Sequence, residues 1–196
     1  AQAAWQHTGG QYEIRLNDIA FANRDLAGTM SGVYQTTADG NGVIDLSAHA
    51  TRANAQGIGN YLPLRVGERG RQWITTAFRG GSSNDVKLRL KGNLKDFPFA
   101  DGKGGIFQVN AHVVDGALDY ATGWPGIDNM QGELTFRGRR MDVAIREGSI
   151  SGAKIARVRA EIPDLTNPER LLTITGEAEG QTSEFLRFIE HSPVLE

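Results

Sequence analysis

The histidines of the chain are its first candidates for metal binding or proton transfer. Metal sites in proteins place their ligands at short, fixed spacings, and the four histidines follow no such spacing: His7, His49, His112 and His191. His112 falls on the polar side of its predicted strand, which indicates a solvated surface side chain. The chain has no cysteine, which excludes disulfides, thiolate metal ligands and cysteine nucleophiles. We therefore predict no metal and no cofactor.

The sequence motifs of catalysis are also missing. The chain contains no G-x-S-x-G elbow, no H-E-x-x-H helix and no G-K-[ST] phosphate loop. One segment, Gly80 to Val86, resembles a single copy of a calcium-binding nonapeptide. Such sites are built from arrays of repeats, and a turn between a helix and a strand explains this single copy. The acidic side chains stand in no recognisable catalytic context, so the sequence predicts a protein that is not an enzyme.

Three aromatic residues could stack against sugar rings: Trp5, Tyr120 and Trp124. A platform of this kind would indicate a carbohydrate-binding or carbohydrate-active β-sandwich of the cell envelope. The alternative is that Tyr120 and Trp124 anchor the loop before Pro125 in a hydrophobic core, since buried aromatic side chains contribute strongly to packing. The residues alone leave both interpretations open.

The overall composition limits the partners of the chain. Its 196 residues include 21 basic and 23 acidic side chains, giving a net charge of −2 and a pI of about 6.1. Nucleic-acid binding favours a basic face or tract, so we predict no nucleic-acid partner. The mean hydropathy is −0.36, and no apolar run approaches the roughly 18 residues of a membrane span. The 25 glycines against 6 prolines indicate many turns rather than disorder.

Period-two alternation of apolar and polar residues dominates the chain. In 85–91, for example, every second residue is apolar and the others are charged. This pattern is typical of antiparallel strands with one apolar and one solvated face. It predicts a mainly all-β fold of about ten antiparallel strands in a twisted and curved sheet with local connections. Glycine-containing turn signals separate the strands at 39–42, 115–116, 138–140 and 147–148.

Two places break the alternation and predict two or three short amphipathic helices. A helical insertion is expected at about 51–80, where Trp73, Ile74 and Phe78 lie on one helical stripe. A terminal helix is expected at about 182–191, with its first residue as the N-cap. These helices would cover the open face of the sheet or one of its ends, with the three apolar side chains at the rim.

The apolar face of the predicted sheet has two interpretations. A hydrophobic core between two sheets is the ordinary meaning of such alternation, and a groove that holds an apolar ligand is the other; composition and period do not separate them. The candidate groove residues are Val86, Leu88, Leu90, Phe107, Val109, Val113, Met141, Val143, Ile145, Leu172 and Ile174. We expect strands 85–91, 106–114 and 141–146 to point their apolar residues at one concave face.

Several stretches of the chain resemble the YhdP family of AsmA-like proteins. They are 61–81 (YLPLRVGERGRQWITTAFRGG), 94–127 (LKDFPFADGKGGIFQVNAHVVDGALDYATGWPGI), 132–152 (GELTFRGRRMDVAIREGSISG) and 182–193 (TSEFLRFIEHSP). The segment 16–28 (LNDIAFANRDLAG) also fits. The stretches occur in the family's order and include unusual pieces such as Asp96-Phe97-Pro98-Phe99 and Gly123-Trp124-Pro125. The resemblance is specific because it rests on several stretches together; one of these motifs alone would not be specific.

The resemblance implies a function without catalysis. Members of the family are longer proteins of Gram-negative bacteria, anchored in the inner membrane and extending through the periplasm as a β-sheet curved into a long groove. They are thought to move phospholipid to the outer membrane and so to serve outer-membrane biogenesis. By resemblance, residues 1–196 would be one internal slice of such a protein, with phospholipid acyl chains in its open apolar groove. Its other partners would be neighbouring segments of the full-length chain, and only parts outside this chain would contact a membrane.

Overall fold

Eleven antiparallel strands form one sheet in the computed structural model of the chain. The structure describes residues 1–62, 68–100, 102–167, 169 and 171–195, without the side chains of residues 69, 70 and 195. In chain order the strands are β1 (Gln2–Thr8), β2 (Gln11–Ala22), β3 (Leu26–Gln35), β4 (Val43–Asn54), β5 (Phe78–Ser83), β6 (Val86–Asn93), β7 (Gly105–Leu118), β8 (Ile127–Arg137), β9 (Arg140–Ile150), β10 (Ala153–Ile162) and β11 (Thr173–Glu179).

The strands follow one another across the sheet in chain order, so the sheet is a meander. Strands β5 and β6 both lie between β4 and β7. The two strands lie end to end in a single strand position beside β4. Strand β5 pairs with the last residues of β4, and strand β6 pairs with the earlier residues of β4. The predicted antiparallel, mainly β fold with local connections is confirmed. Among the described residues there are eleven strands, against the expected number of about ten, and residues 84–85 divide this one position into two of them.

The predicted turns have mixed outcomes. The short hairpin at 138–140 is confirmed: Arg137 pairs with Arg140 across a two-residue turn. The predictions at 115–116 and 147–148 are wrong, because these residues lie inside β7 and β9. Asp115 instead adopts a left-handed backbone, with φ of 51°, and is the extra residue of a β-bulge. Asp-Gly suits either structure, since aspartate tolerates the left-handed region and glycine prefers it.

A row of β-bulges crosses the sheet. Irregular register occurs in the pairings of β2 with β3, β3 with β4, β5 with β7, β7 with β8, β8 with β9 and β10 with β11. Four of these irregularities carry a non-glycine residue with positive φ: Asp18, Asp115, Asn129 and Arg157. Each of these side chains bonds to the next strand, in the pairs Asp18–Ser31, Asp115–Gln131, Asn129–Ser149 and Arg157–Glu177. We call these four residues the bulge residues.

The helices are shorter than the sequence predicts. The expected insertion at about 51–80 contains a 3-10 helix at Ala55–Tyr61 and the helix α1 at Glu68–Ala77. Residues 51–54 belong to β4 and 78–80 to β5, and residues 63–67 lie outside the described part. Two more 3-10 helices span Leu94–Asp96 and Pro193–Leu195.

The terminal helix α2 spans Thr182–Glu190. Its N-cap is Gln181, so the prediction that Thr182 has this role is wrong by one residue. The Gln181 backbone N–H donates to the Glu184 carboxylate at 2.7 Å. This bond satisfies a backbone donor outside the first turn, as in a capping box.

Candidate functional site

One face of the sheet is apolar from strand to strand. Residues directly opposite each other in an antiparallel ladder lie on the same face, so the register identifies its members. One row across the sheet reads Ile19, Met30, Ala48, Leu88, Val109, Phe136, Met141 and Ile162. The next row on the same face reads Phe21, Gly28, Ala50, Val86, Ala111, Leu134, Val143, Ala160 and Ile174. We call the surface built by these two rows and their neighbours the apolar face.

The opposite face is polar along the intervening row. That row reads Thr29, His49, Lys87, Asn110, Thr135, Asp142, Glu161 and Thr173. The two faces therefore differ over eight strands, and on β2 the polar row ends at Ala20, which lies opposite Thr29.

Ten of the eleven candidate groove residues fall on the apolar face. Besides those in the two rows, Leu90 lies opposite Phe107, and Val113 and Ile145 both lie opposite Gly132. Leu172 is the exception, because β11 begins one residue later, at Thr173. Whether any of them contacts lipid stays a prediction.

Sequence reasoning did not select part of this face. Met30, Ala48 and Ala50 continue the rows onto β3 and β4, and Leu134 and Phe136 continue them onto β8. The same period-two alternation marks all of these residues, and register shows that they belong to the same surface as the selected ones. Pairing between distant strands is the information that a single sequence lacks.

Burial on the apolar face is uneven. Most of its buried side chains form two clusters on β8, β9 and β10: Ile127, Met130, Ile145, Ile155 and Val158 in one, and Leu134, Met141 and Ile162 in the other. Ala50 on β4 is also buried. Toward the edges the face is open, with Trp5 on β1 74% exposed and Ile174 on β11 49% exposed. The strands of the described part make their extensive contacts with hydrogen-bonded neighbours, and all belong to one sheet. No second sheet covers the apolar face in that part of the chain.

Aromatic side chains gather at the end of the sheet where α1 and α2 lie, and one of them, Tyr120, packs on the buried cluster of the apolar face. The Trp73 indole N–H donates to the Tyr120 carbonyl oxygen at 3.1 Å, and its ring meets Phe78 edge-on at 6.4 Å. The Trp124 ring lies 6.2 Å from Tyr120 and 5.9 Å from Phe188 of α2. Burial raises the pKa of Tyr120. We call these five side chains the aromatic rim.

The opposite end of the face carries a second aromatic group. Phe97 packs against Phe107 with ring centroids 5.0 Å apart, and Phe99 is buried. Glycine is required beneath Phe99, since a Cβ at Gly105 would lie 2.4 Å from its ring. The two aromatic groups thus bound the apolar face at both ends of its strands.

The polar face is held by ion pairs. Asp45 accepts from Arg89 at 2.5 Å and pairs with Lys91 at 3.2 Å. The hydrogen bond from Arg89 is the main cause of a lowered pKa at Asp45, and the hydrogen bond from Lys91 lowers this pKa further. Arg140 pairs with Asp142 and Glu161, and the hydrogen bonds to these carboxylates raise its pKa.

The histidines do not converge. His49 Nε2 lies 2.9 Å from Asp85 Oδ1, and His112 Nε2 lies 3.0 Å from the Arg146 guanidinium. Within the described ranges, no three histidine or carboxylate side chains are grouped as metal ligands. No helix among those residues is long and apolar enough to cross a membrane.

The three aromatic residues considered for sugar stacking are separated. Tyr120 and Trp124 contact each other at the aromatic rim, and Tyr120 packs on the buried cluster around Ile145. Trp5 lies on the edge strand β1, with β2, β3 and β4 between it and the rest. The structure therefore does not assemble them into one platform.

Comparison with known proteins identifies the family. The family model described as "YhdP protein" matches residues 1–196. Searches of curated proteins and of solved structures returned no significant match. The family is not known for enzymatic activity. The chain belongs to the YhdP family of AsmA-like proteins, which is related to lipid transport.

Proposed function

We propose that the apolar face binds the acyl chains of phospholipids, and that the chain is a non-enzymatic segment of a periplasmic conduit between the inner and outer membranes. In this proposal the full-length protein is anchored to the inner membrane, and neighbouring segments continue the surface. The observation that supports it best is the pair of uninterrupted apolar rows across eight or nine strands, on a face with no covering sheet in the described part.

The dimensions of the apolar face suit acyl chains. The pairing path contains ten strands, which at about 4.8 Å per strand gives a face roughly 43 Å long. One leaflet of a bilayer holds acyl chains about 15 Å deep, so the face is long enough for more than one lipid in succession. Each methylene removed from water gains about 0.8 kcal/mol. A continuous apolar surface therefore holds a chain without a specific polar pocket that would arrest its movement.

A charge on the apolar face should block lipid binding. We would compare Leu88→Asp and Val109→Asp with Asn110→Asp, which adds the same carboxylate one residue away on the polar face. Photo-crosslinking would use diazirine-labelled phosphatidylethanolamine in vesicles of phosphatidylethanolamine and phosphatidylglycerol. The first two variants should stay folded and lose crosslinking by about tenfold or more, because an unpaired charge among acyl chains is strongly disfavoured.

The matched control should keep both folding and crosslinking. Asn110 accepts from the Thr135 hydroxyl at 3.1 Å, and an aspartate retains that acceptor. Two results would contradict the proposal. One is a folded Leu88→Asp variant that crosslinks as well as the parent. The other is unfolding of both apolar-face variants, which would indicate a closed core, where the charge has neither water nor partner.

A further inference from the structure

A group of aromatic side chains lies on the apolar face of the first three strands, away from the buried clusters. Tyr34 stands four residues beyond Met30 on β3, so the alternation of side chains places both on the apolar face. Tyr34 lies opposite Ile14 of β2. Further pairings along β1 and β2 bring the other members onto the same face. We define the edge patch as Trp5, His7, Tyr12 and Tyr34.

The edge patch presents hydrogen-bond donors that the fold leaves unpaired. Among the described residues, the Tyr12 and Tyr34 hydroxyls and the Trp5 indole N–H have no hydrogen-bond partner. Tyr12 is 49% exposed, and its ring stacks on His7 with centroids 4.4 Å apart. The Tyr61 hydroxyl, by contrast, is paired with the Asn23 side chain. The edge patch therefore combines exposed apolar rings with free donors.

The Tyr34 phenol points toward the end of its strand. A Cβ at Gly42, the residue before β4, would lie 2.4 Å from Tyr34 Cε2 and 2.5 Å from its hydroxyl oxygen. The ring thus lies over the turn that joins β3 to β4. The opposite end of β3 adjoins the 3-10 helix at Ala55–Tyr61, through a hydrogen bond of 2.8 Å from the Asn23 amide to the Tyr61 hydroxyl. On these strands the apolar face is therefore open at the end that carries the edge patch.

We infer that the edge patch binds the ester region of a glycerophospholipid, an inference that rests on the function proposed above and names the part of the lipid that is recognised. Tyrosine and tryptophan suit the boundary between hydrocarbon and water, because each joins an apolar ring to a polar atom. The ester carbonyls of a phospholipid lie at that boundary and accept hydrogen bonds. The acyl chains then lie along the strands, and the headgroup leaves the face beside the turn at 36–42.

The spacing of residues along β3 matches the length of an acyl chain. Tyr34 and Gly28 are six positions apart, which corresponds to about 20 Å of strand. The acyl chains of one bilayer leaflet are about 15 Å deep. A chain whose ester lies at Tyr34 would therefore end near Met30, on the rows of the apolar face and short of the 3-10 helix.

The surroundings of the edge patch favour lipid over sugar. A sugar site needs polar side chains that bond to the hydroxyls as well as a ring to stack on. The neighbours of the patch on the same face are Ile14, Leu16 and Ile44. The charged residues between them, Glu13 and Arg15, alternate onto the polar face and pair with each other there. The patch thus continues an apolar surface.

Quenching of tryptophan fluorescence by brominated phosphatidylethanolamine would locate the ester end of the lipid. Of the three tryptophans, only Trp5 emits in the Trp73→Phe/Trp124→Phe protein. After loading from vesicles and separation from them, this protein should lose about twice as much fluorescence with bromine near the ester as with bromine near the methyl end, since the two positions differ by about 10 Å in depth. The matched control is Trp5→Phe/Trp124→Phe, in which the Trp73 emission should show no preference for the ester-end label.

Recognition of the ester is the second measurement. The parent should bind diacyl phosphatidylethanolamine about fivefold more tightly than the dialkyl ether analogue, the effect of one hydrogen bond. Tyr12→Phe/Tyr34→Phe keeps both rings and should bind the two lipids equally. Its melting temperature should stay parental, because neither hydroxyl has a partner in the described part of the fold. Tyr61→Phe removes a hydroxyl at the opposite end of β3 and should keep the preference for the ester.

Several results would overturn the inference. They are equal quenching of Trp5 by the two labels, a parent without ester preference, and a Tyr12→Phe/Tyr34→Phe variant that keeps the preference or unfolds. Displacement of lipid from Trp5 by a soluble oligosaccharide would also overturn it and would indicate a sugar platform. If lipid crosslinks to the parent without quenching Trp5, the inference alone fails. If no lipid crosslinks to the parent, the proposed function fails with it.

Discussion

Because burial on the apolar face is unequal, truncating similar side chains to alanine should lower the free energy of unfolding by different amounts. Ile145 is 5% exposed and packs among Ile127, Met130, Ile155 and Val158. Replacing it with alanine leaves a cavity in that cluster, and we expect a loss of about 3–4 kcal/mol in the free energy of unfolding. Leu88 is half-buried, so it already contacts water in the folded state. Leu88→Ala should therefore cost only about 1–2 kcal/mol.

Urea unfolding monitored by far-ultraviolet circular dichroism would measure both losses. The slope of the free energy with urea should stay parental in each variant, because neither truncation changes the surface exposed on unfolding by much. Equal costs for the two truncations, within about 0.5 kcal/mol, would refute the reasoning. They would show that Leu88 lies in a closed core as complete as the one around Ile145.

Three further predictions concern other parts of the sheet. Trp73→Ala should lower the free energy of unfolding by about 2–3 kcal/mol. Trp73→Phe should lower it by only about 1 kcal/mol, because it loses the hydrogen bond to Tyr120 and keeps an aromatic ring. Equal melting temperatures for the two variants would contradict this. The pKa of Asp45 is lower in the folded protein than in the unfolded chain, where it is about 4. The Asp45 carboxylate therefore stabilises the folded protein above that pH, and the stabilisation is lost as the pH falls through the folded pKa. Arg89→Gln should weaken this pH dependence of the melting temperature, and an unchanged profile would contradict that role. Gly132→Ala should destabilise by about 1–3 kcal/mol in urea unfolding, because the added Cβ would lie 2.3 Å from a backbone carbonyl of the neighbouring strand, and a parental midpoint would contradict this close approach.

The strands and their two faces could be predicted from the sequence because period-two alternation is local. Leu88 and Val109 alternate with charged and polar residues, and the register places them directly opposite each other. Their pairing could not be read from either strand, since it depends on which strands become neighbours. The connections could be anticipated only in outline, through the glycines that separate the runs.

The bulges could not be predicted because their residue types also form turns. Asp115-Gly116 favours a left-handed backbone, which both a tight turn and a bulge require. The choice depends on whether the chain continues in the same direction, and here Leu118 of β7 still pairs with Ile127 of β8. Arg157 carries no such signal at all, because arginine seldom adopts positive φ. Its conformation accompanies an ion pair with Glu177, a contact between two strands.

The aromatic residues show the same limit at the candidate site. Tyr120 and Trp124 could be recognised as large side chains near Pro125, but their surroundings depend on α1 and α2, which approach from distant parts of the chain. Trp73 contributes a hydrogen bond to Tyr120, and Phe188 a ring contact to Trp124. The anchoring interpretation thus follows from contacts over long sequence separations, which alternation within one strand does not encode.

A sheet whose apolar face no second sheet covers, in the part of the chain that the structure describes, needs another source of stability. The two halves of the sheet contribute to that stability unequally. On β8, β9 and β10, side chains such as Met141 and Ile145 bury one another on the face itself. On β3, β4 and β6, most residues of the face, such as Leu88, are only half-buried, with Ala50 as a buried exception. Residues in the first half should therefore govern folding, and residues in the second half should govern what the face binds. Because the two halves share continuous hydrogen-bonded ladders, the stable half holds the open half in register without covering it.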